Sequence, residues 1–132
     1  MTPTYATPQD AEDAFYDALD AGKLDQLLSV WAESDDVGCL LPMHPLVQSR
    51  QGVTDVFTHL LSRGQGVSLA ITHLGWIETG NIAIHFVEET VQGPPSDTPP
   101  PPFYGTNIYR KDDTGWRLIV HQNAPAPPPP SP

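Results

Sequence analysis

Two pairs of long, alternating apolar segments fill the second half of the chain, and each pair is joined by a turn too short for anything but a hairpin. Val67 to Glu78 and Asn81 to Gln92 meet at Thr79-Gly80 or Gly80-Asn81, a composition that reverses a chain within two residues because glycine and asparagine accept positive φ. Phe103 to Lys111 and Gly115 to Asn123 meet around Asp112-Asp113-Thr114-Gly115. Four antiparallel strands are therefore expected. Between the pairs runs GPPSDTPPPP, Gly93 to Pro102. Its prolines cannot donate to a sheet ladder, so it is expected to be a polyproline-like, mobile connection.

What precedes the strands is helical. Thr7-Pro8-Gln9-Asp10 reads as a helix start, with Thr7 as the cap, Pro8 where a missing N–H costs nothing, and Asp10 near the positive helix end. Ala11, Ala14, Phe15, Ala18 and Leu19 form one stripe that Gly22 ends as the C′ residue. Leu24, Leu27, Leu28 and Trp31 repeat the spacing in a shorter helix. Asp35-Asp36 breaks the pattern, and Val37 to Leu41 reads as a short strand closed by Pro42. Met43 to Gln48 reads as a loop returning as a brief extended piece. Val53, Val56, Phe57, Leu60 and Leu61 define a third helix over Gly52 to Leu61. Helices first and long strands last is an α+β order, in which a curved antiparallel or mixed sheet wraps the helices as a cone. Residues 1–6 are expected to be disordered, 7–124 to fold as one domain, and 125–132 to be a proline-rich tail that does not pack.

The totals narrow what such a domain can meet. With 132 residues and 39% hydrophobic side chains, one core fits and a second does not. Sixteen acidic against six basic residues leave a net charge of −10, which repels nucleic acids and anionic membrane surfaces. The single cysteine, Cys39, excludes an internal disulfide framework and reads as an inert buried residue. No apolar stretch reaches membrane-spanning length and the first residues do not read as a leader, so a cytoplasmic location is expected. No HxH, HxxxH or CxxC spacing and no glycine-rich phosphate loop occurs, so neither a metal nor another cofactor is expected.

Three stretches sharpen the fold: LDQLLSVWAESDDVGCLLP, then Gly52-Val53-Thr54-Asp55-Val56-Phe57, then YGTNIYRKDDTGWRLIVHQNAP. Together they resemble the SnoaL-like branch of the nuclear-transport-factor-2-like superfamily, which includes ketosteroid isomerase, scytalone dehydratase and the association domain of calcium/calmodulin-dependent kinase II. The resemblance spans about Ala11 to Pro125. It implies a cone-shaped barrel with a pocket between the helices and the concave sheet face, and a homodimer through the outer face. Two positions depart from the family pattern: Leu41 stands where relatives often carry a histidine before the proline, and His121-Gln122 stands for a histidine pair.

A pocket of this kind works by splitting acid and base roles between environments. Asp36, just ahead of the first strand, and Glu89 are the candidate bases; Glu88 and Glu89 must point to opposite faces, so one of them approaches the interior. Tyr16, Tyr104 and Tyr109 are candidate donors, as are His44 in its loop and His121. Strand alternation puts His121 on the face opposite Trp116, Leu118 and Val120, together with Ile119 and Asn123, and near Asn107 of the adjacent strand. Trp31 and Phe57 are placed in the pocket wall, with Tyr16, His44, Tyr104, Asn107, His121 and Asn123 as further ligand contacts. His73 and His85 lie in one hairpin and would titrate together if the register pairs them. Two functions stand at this point: a domain binding a small apolar or aromatic molecule, or a metal-independent isomerase or lyase of ketosteroid-isomerase or polyketide-modifying type, using Asp36, Glu89 or His121.

Overall fold

Three helices and six strands follow one another: α1 (Pro8–Ala21), α2 (Leu24–Val30), β1 (Gly38–Leu40), β2 (Val47–Gln48), α3 (Ser49–Leu60), β3 (Leu69–Thr79), β4 (Ile82–Val91), β5 (Phe103–Asp112) and β6 (Gly115–Pro125). The computed structural model describes residues 3–93 and 100–128. The middle of the proline run, 94–99, and the tail end, 129–132, lie outside the described residues, so the polyproline expectation is not addressed there. The strands form one curved, unclosed sheet in the order β2-β1-β6-β5-β4-β3. Among the described residues only β1 and β6 pair in parallel; the other neighbouring strands are antiparallel. This is the expected α+β arrangement.

The α1 boundaries are dictated by local chemistry. The Thr7 hydroxyl accepts from the Asp10 N–H at 3.0 Å, and Gly22 closes the helix in the left-handed conformation at φ 69°, where a side chain would be strained. The third helix begins at Ser49, three residues before Gly52, because Val47-Gln48 pairs with β1 and delivers the chain directly into it. The N-terminal lead is corrected from Pro3 onward. The Trp116 N–H donates to the Tyr5 carbonyl at 2.9 Å, and Arg117 lies over the Tyr5 ring at 5.1 Å while reaching the Pro3 carbonyl. That buried guanidinium fixes the segment to β6.

The core sits between the helices and the concave face. Phe15, Trp31 and Phe57, one from each helical segment, meet with ring centroids 6.0–6.4 Å apart, and each is at most 1% exposed. Edge-on aromatic packing of this kind favours burial beyond its area alone. Leu27, Val53, Tyr109 and Leu118 complete the contact. Trp31 is thus a core residue rather than the pocket contact anticipated. Cys39 is buried on β1, and burial raises its thiol to about 12, so it is inert at neutral pH as expected.

One irregularity changes the chemistry of the concave face. Tyr109 pairs with Leu118, but Ile108 pairs with Val120, which leaves Ile119 as an extra residue in β6. A bulge of this type restarts the alternation. Beyond it, His121 pairs with Asn107, and both are buried. The expectation that His121 faces away from Trp116 and Leu118 is therefore wrong: the bulge turns it to the same concave side. A second bulge between His73 and Gly75 means that His73 pairs with Val87 and His85 with Trp76, so the two histidines are not cross-strand partners.

The outer face keeps a row of apolar side chains in solvent, Phe86 at 38% and Ile77 at 49% exposure among them, flanked by Ile84 and Ile108. No helix among the described residues is long and apolar enough to cross a membrane.

Candidate functional site

A cavity of about 250 Å³ opens between α1, α3 and the concave sheet. Its walls are apolar, with Phe15 and Leu19 from α1, Phe57 and Leu60 from α3, and Leu69 and Phe103 from the sheet. Three polar residues interrupt them: Glu89, His121 and Asn123. Each comes from a strand position whose alternation points inward, and for the last two the bulge at Ile119 is the reason. Glu89 is the inward member of the Glu88–Glu89 pair, 5% exposed.

These groups belong to a closed loop of hydrogen bonds. The Tyr16 hydroxyl donates to Glu89 Oε2 at 2.6 Å, and Asn107 Nδ2 donates to the Tyr16 oxygen at 2.9 Å. Asn107 Oδ1 lies 2.5 Å from His121 Nδ1. His121 Nε2 lies 3.1 Å from Asn123 Oδ1, and Asn123 Nδ2 returns to Glu89 Oε1 at 3.0 Å. Gly105 passes beneath, where a Cβ would stand 3.1 Å from Glu89 Oε2 and 3.0 Å from Val87 Cγ2; a larger residue would press on the carboxylate.

The polarity of the loop constrains its protons. Asn123 Nδ2 faces two acceptors, Glu89 and the Tyr104 carbonyl, so the other side of the amide presents oxygen to His121. Asn107 also presents oxygen, because its nitrogen is committed to Tyr16. Two oxygen acceptors suit a doubly protonated ring, and Glu89, 3.9 Å from Nε2, supplies the counter-charge. Burial acts in the opposite direction and is the larger effect, so the His121 imidazole sits below its ordinary value, with Glu89 and Asn123 pulling it back up. The Tyr16 hydroxyl is driven strongly upward by burial and by Glu89, so it stays a donor.

Other anticipated residues lie elsewhere. Asp36 is at the surface, its carboxylate 61% exposed and bound by Arg110 at 2.5 Å; that hydrogen bond, with one from Ser34, holds it well below the usual carboxylate range. Asp36 borders a larger hollow of about 420 Å³ along the β1–β6 seam, whose other titratable lining is Asp35, the inert thiol of Cys39 and the edge of His121. The smaller cavity is therefore the better site. Tyr104 pairs with Glu88 and is 38% exposed on the outer face, so its neighbour Phe103 takes the wall position. His44 is exposed beside His59, ring centroids 6.5 Å apart, and only Leu41 and Pro42 of its loop reach the cavity. Tyr109 is buried, and its hydroxyl has no partner among the described residues.

Sequence reasoning missed Glu12. It stands next to the apolar stripe of α1 and is 2% exposed, facing β3 and β4. Its carboxylate meets His73 Nε2 at 2.5 Å and His85 Nδ1 at 3.0 Å. Burial pushes the acid up, but the hydrogen bonds from His85, His73 and Gln9 outweigh it, and the net shift is downward. A carboxylate one position off a helical stripe, with two histidines in the following hairpin, was the available signal.

The SnoaL-like domain profile matches residues 9–127. Among solved structures, a provisionally assigned calcium/calmodulin-dependent protein kinase type II association domain from Thiobacillus denitrificans is 30% identical, with 95% of this chain and 99% of that chain covered at a TM-score of 0.87. A provisionally assigned dehydratase of the NTF2-like family from Streptomyces avermitilis is 24% identical over 89% and 92%, with a TM-score of 0.78. An NTF2-like protein with a cystatin-like fold from Novosphingobium aromaticivorans is 17% identical over 88% and 77%, at 0.69. No functionally curated protein matches the chain.

The His121 environment sets a pH dependence. Its folded value lies below the ordinary 6.5, so below pH 6.5 the unfolded chain takes up a proton that the folded chain resists. Stability from this group is complete above that pH and declines as pH falls toward the folded value, with a slope of at most about 1.4 kcal/mol per pH unit. Urea unfolding between pH 7.5 and 5 should show this decline, reduced in His121→Gln. A stability that rises on acidification would mean that Glu89 overrides burial.

Proposed function

The chain belongs to the SnoaL-like domain family, and on that premise we propose that its cavity takes up a small apolar or aromatic molecule on which Glu89 and His121 move a proton, as in an isomerase or lyase. The observation that carries this reading is a buried carboxylate beside a tyrosine hydroxyl, 2.6 Å apart, at the polar floor of an apolar cavity. In low-dielectric surroundings a fixed acid–base set acts on a bound carbonyl compound without first reorganising solvent. At about 250 Å³ the cavity lies below the usual range of about 300–1,000 Å³ for drug-sized ligands. A one- or two-ring substrate suits it better than a steroid.

In this reading the substrate oxygen replaces Asn123 Oδ1 at His121 Nε2. Glu89 takes the proton from the carbon next to the carbonyl, and His121 gives its Nε2 proton to the oxygen. An isomerase then returns the Glu89 proton at a second carbon as His121 recovers its own. A lyase instead takes a β-hydroxy carbonyl compound with its β-hydroxyl at His121 Nε2: Glu89 removes the α proton, the Cα–Cβ double bond forms as the β C–O bond breaks, and the departing hydroxyl takes the His121 proton and leaves as water. Tyr16 and Asn107 act through the others as positioning residues, holding the Glu89 carboxylate and the His121 ring. A second reading, binding without chemistry, is favoured by one specific feature: both imidazole nitrogens already have partners, so the loop is satisfied as it stands.

The outer sheet face is proposed as a homodimer seam. Its apolar row has no cover from the described helices, and the 30% identical neighbour is named as an association domain. Light scattering on eluted protein should give twice the chain mass of 14.4 kDa; a mass of 14.4 kDa at micromolar concentration contradicts the pairing.

The activity is tested with a panel of one- and two-ring β,γ-unsaturated ketones, by thermal shift and by proton NMR in deuterated water. The expected result is a raised melting temperature with enzyme-dependent exchange, and an exchange rate lower by about 10²-fold or more in Glu89→Gln. A melting shift without exchange supports binding alone. Neither response to any member contradicts the cavity assignment.

A further inference from the structure

On the other side of Tyr16 from the cavity, the described residues hold a second polar cluster that the proposed chemistry does not use. We propose that Glu12, His73 and His85 bind a divalent first-row transition-metal ion of the zinc type. The three come from α1, β3 and β4, and their ligand atoms all lie within 4.8 Å of one another. The topology assembles them, so no short sequence motif announces the set.

The donor chemistry selects the ion. Two imidazole nitrogens and one carboxylate are the ligands of zinc and its neighbours, whereas calcium and magnesium demand all-oxygen shells. A zinc-type ion lies about 2.0–2.1 Å from each ligand, which places tetrahedral ligands about 3.3 Å apart. The Glu12–His73 and Glu12–His85 contacts at 2.5 and 3.0 Å therefore need to open by fractions of an ångström, while the widest ligand pair, no more than 4.8 Å apart, must close by up to about 1.5 Å. His73 has that freedom, because its side chain is 35% exposed at the edge of the cluster. The ion would take the place of the two shared N–H protons. Each imidazole then ligates through the nitrogen that faced Glu12 and carries one N–H on its other nitrogen, any further ring proton passing to solvent.

Three further observations point to a cation rather than to a bare hydrogen-bonded staple. Glu12 is a carboxylate buried to 2% exposure, and a metal ion would both ligate it and cancel its charge. A cleft of about 280 Å³ leads to His73 and Glu12 between Asp13, Asp17 and Asp20, whose like charges concentrate cations at its mouth. Beside His85, ring centroids 5.1 Å apart, stands Tyr109, fully buried with its hydroxyl unpartnered among the described residues. An orphaned buried hydroxyl beside one ligand ring, and a fourth position that three protein ligands leave for water, both accord with an ion and its water in this cluster. Gln9, which donates to Glu12 Oε2 at 2.7 Å and to Asp13 at 2.9 Å, orients the carboxylate from outside the ligand set.

The test uses the untagged full chain, stripped with a chelator and titrated with zinc chloride in a calorimeter, then with cobalt chloride while visible absorption is followed. One zinc per chain and cobalt bands of a tetrahedral site are expected. His73→Ala is the deciding variant, since it leaves the buried Glu12–His85 pair in place; it should weaken zinc binding by about tenfold or more with an unchanged circular dichroism spectrum. Glu89→Gln, in the cavity loop, should bind zinc as the parent does. The proposal is overturned if the parent binds zinc more weakly than about 1 mM, or if His73→Ala binds it equally well. It is also overturned if Glu89→Gln abolishes binding, which would place the ion in the cavity instead.

Discussion

One extra residue in one strand governs what the concave face presents. Without Ile119 as a bulge, alternation from Trp116 and Leu118 would carry Val120 and Gln122 inward and leave His121 and Asn123 outside. The cavity floor would then hold Glu89 and Tyr16 with no imidazole beside them. With the bulge, two polar side chains of β6 join one from β4 and one from β5, and a polar loop closes in a place that packing alone would have filled with hydrocarbon. Such bulges turn a strand's side chains at functional sites.

Helix α1 is the second organiser, and its logic is angular. Phe15 drives into the core, while Glu12 and Tyr16, one turn apart, lie along the edge of the same stripe. Each reaches across to the sheet: Tyr16 to Glu89 and Asn107, Glu12 to His73 and His85. A single helix thus supplies the hydrophobic anchor and one member of each polar cluster. Its position is held at the far end by Gly22 and by Gly66, where a Cβ would meet the Asp20 carbonyl at 1.9 Å. The two clusters are consequently coupled to the same packing and move together if α1 moves.

The architecture was readable because its signals are local. Thr7 and Gly22 cap α1, Gly80 turns the first hairpin, and the helical stripes of Phe15 and Phe57 bury as their spacing demands. Phe57, His121 and Asn123, expected at the pocket wall, and Glu89, expected as a base, line one cavity, with Tyr16 and Asn107 just behind them. The errors lie where register and long-range partners, rather than local pattern, decide the placement. Period-two counting carries a face assignment only until a bulge intervenes, and nothing in RLIVHQN marks Ile119 as the extra residue. Tyr104 failed for the complementary reason: Phe103 and Tyr104 are both aromatic, and only register tells which one faces inward. Asp36 failed because its Arg110 partner is 74 residues away. Glu12 was invisible because convergence of three elements leaves no spacing to read.

The central claim is that the bulge buries His121 inside a closed hydrogen-bonded loop. Long-range ¹H–¹⁵N correlation spectroscopy of the imidazoles tests it most directly. The claim predicts that the His121 Nδ1 proton is shifted downfield, exchanges slowly with water and shows a cross-peak to the Asn107 side chain. A His121 ring whose nitrogens exchange freely with solvent, with contacts to Ile108 rather than Asn107, would put the side chain on the outer face and contradict the account.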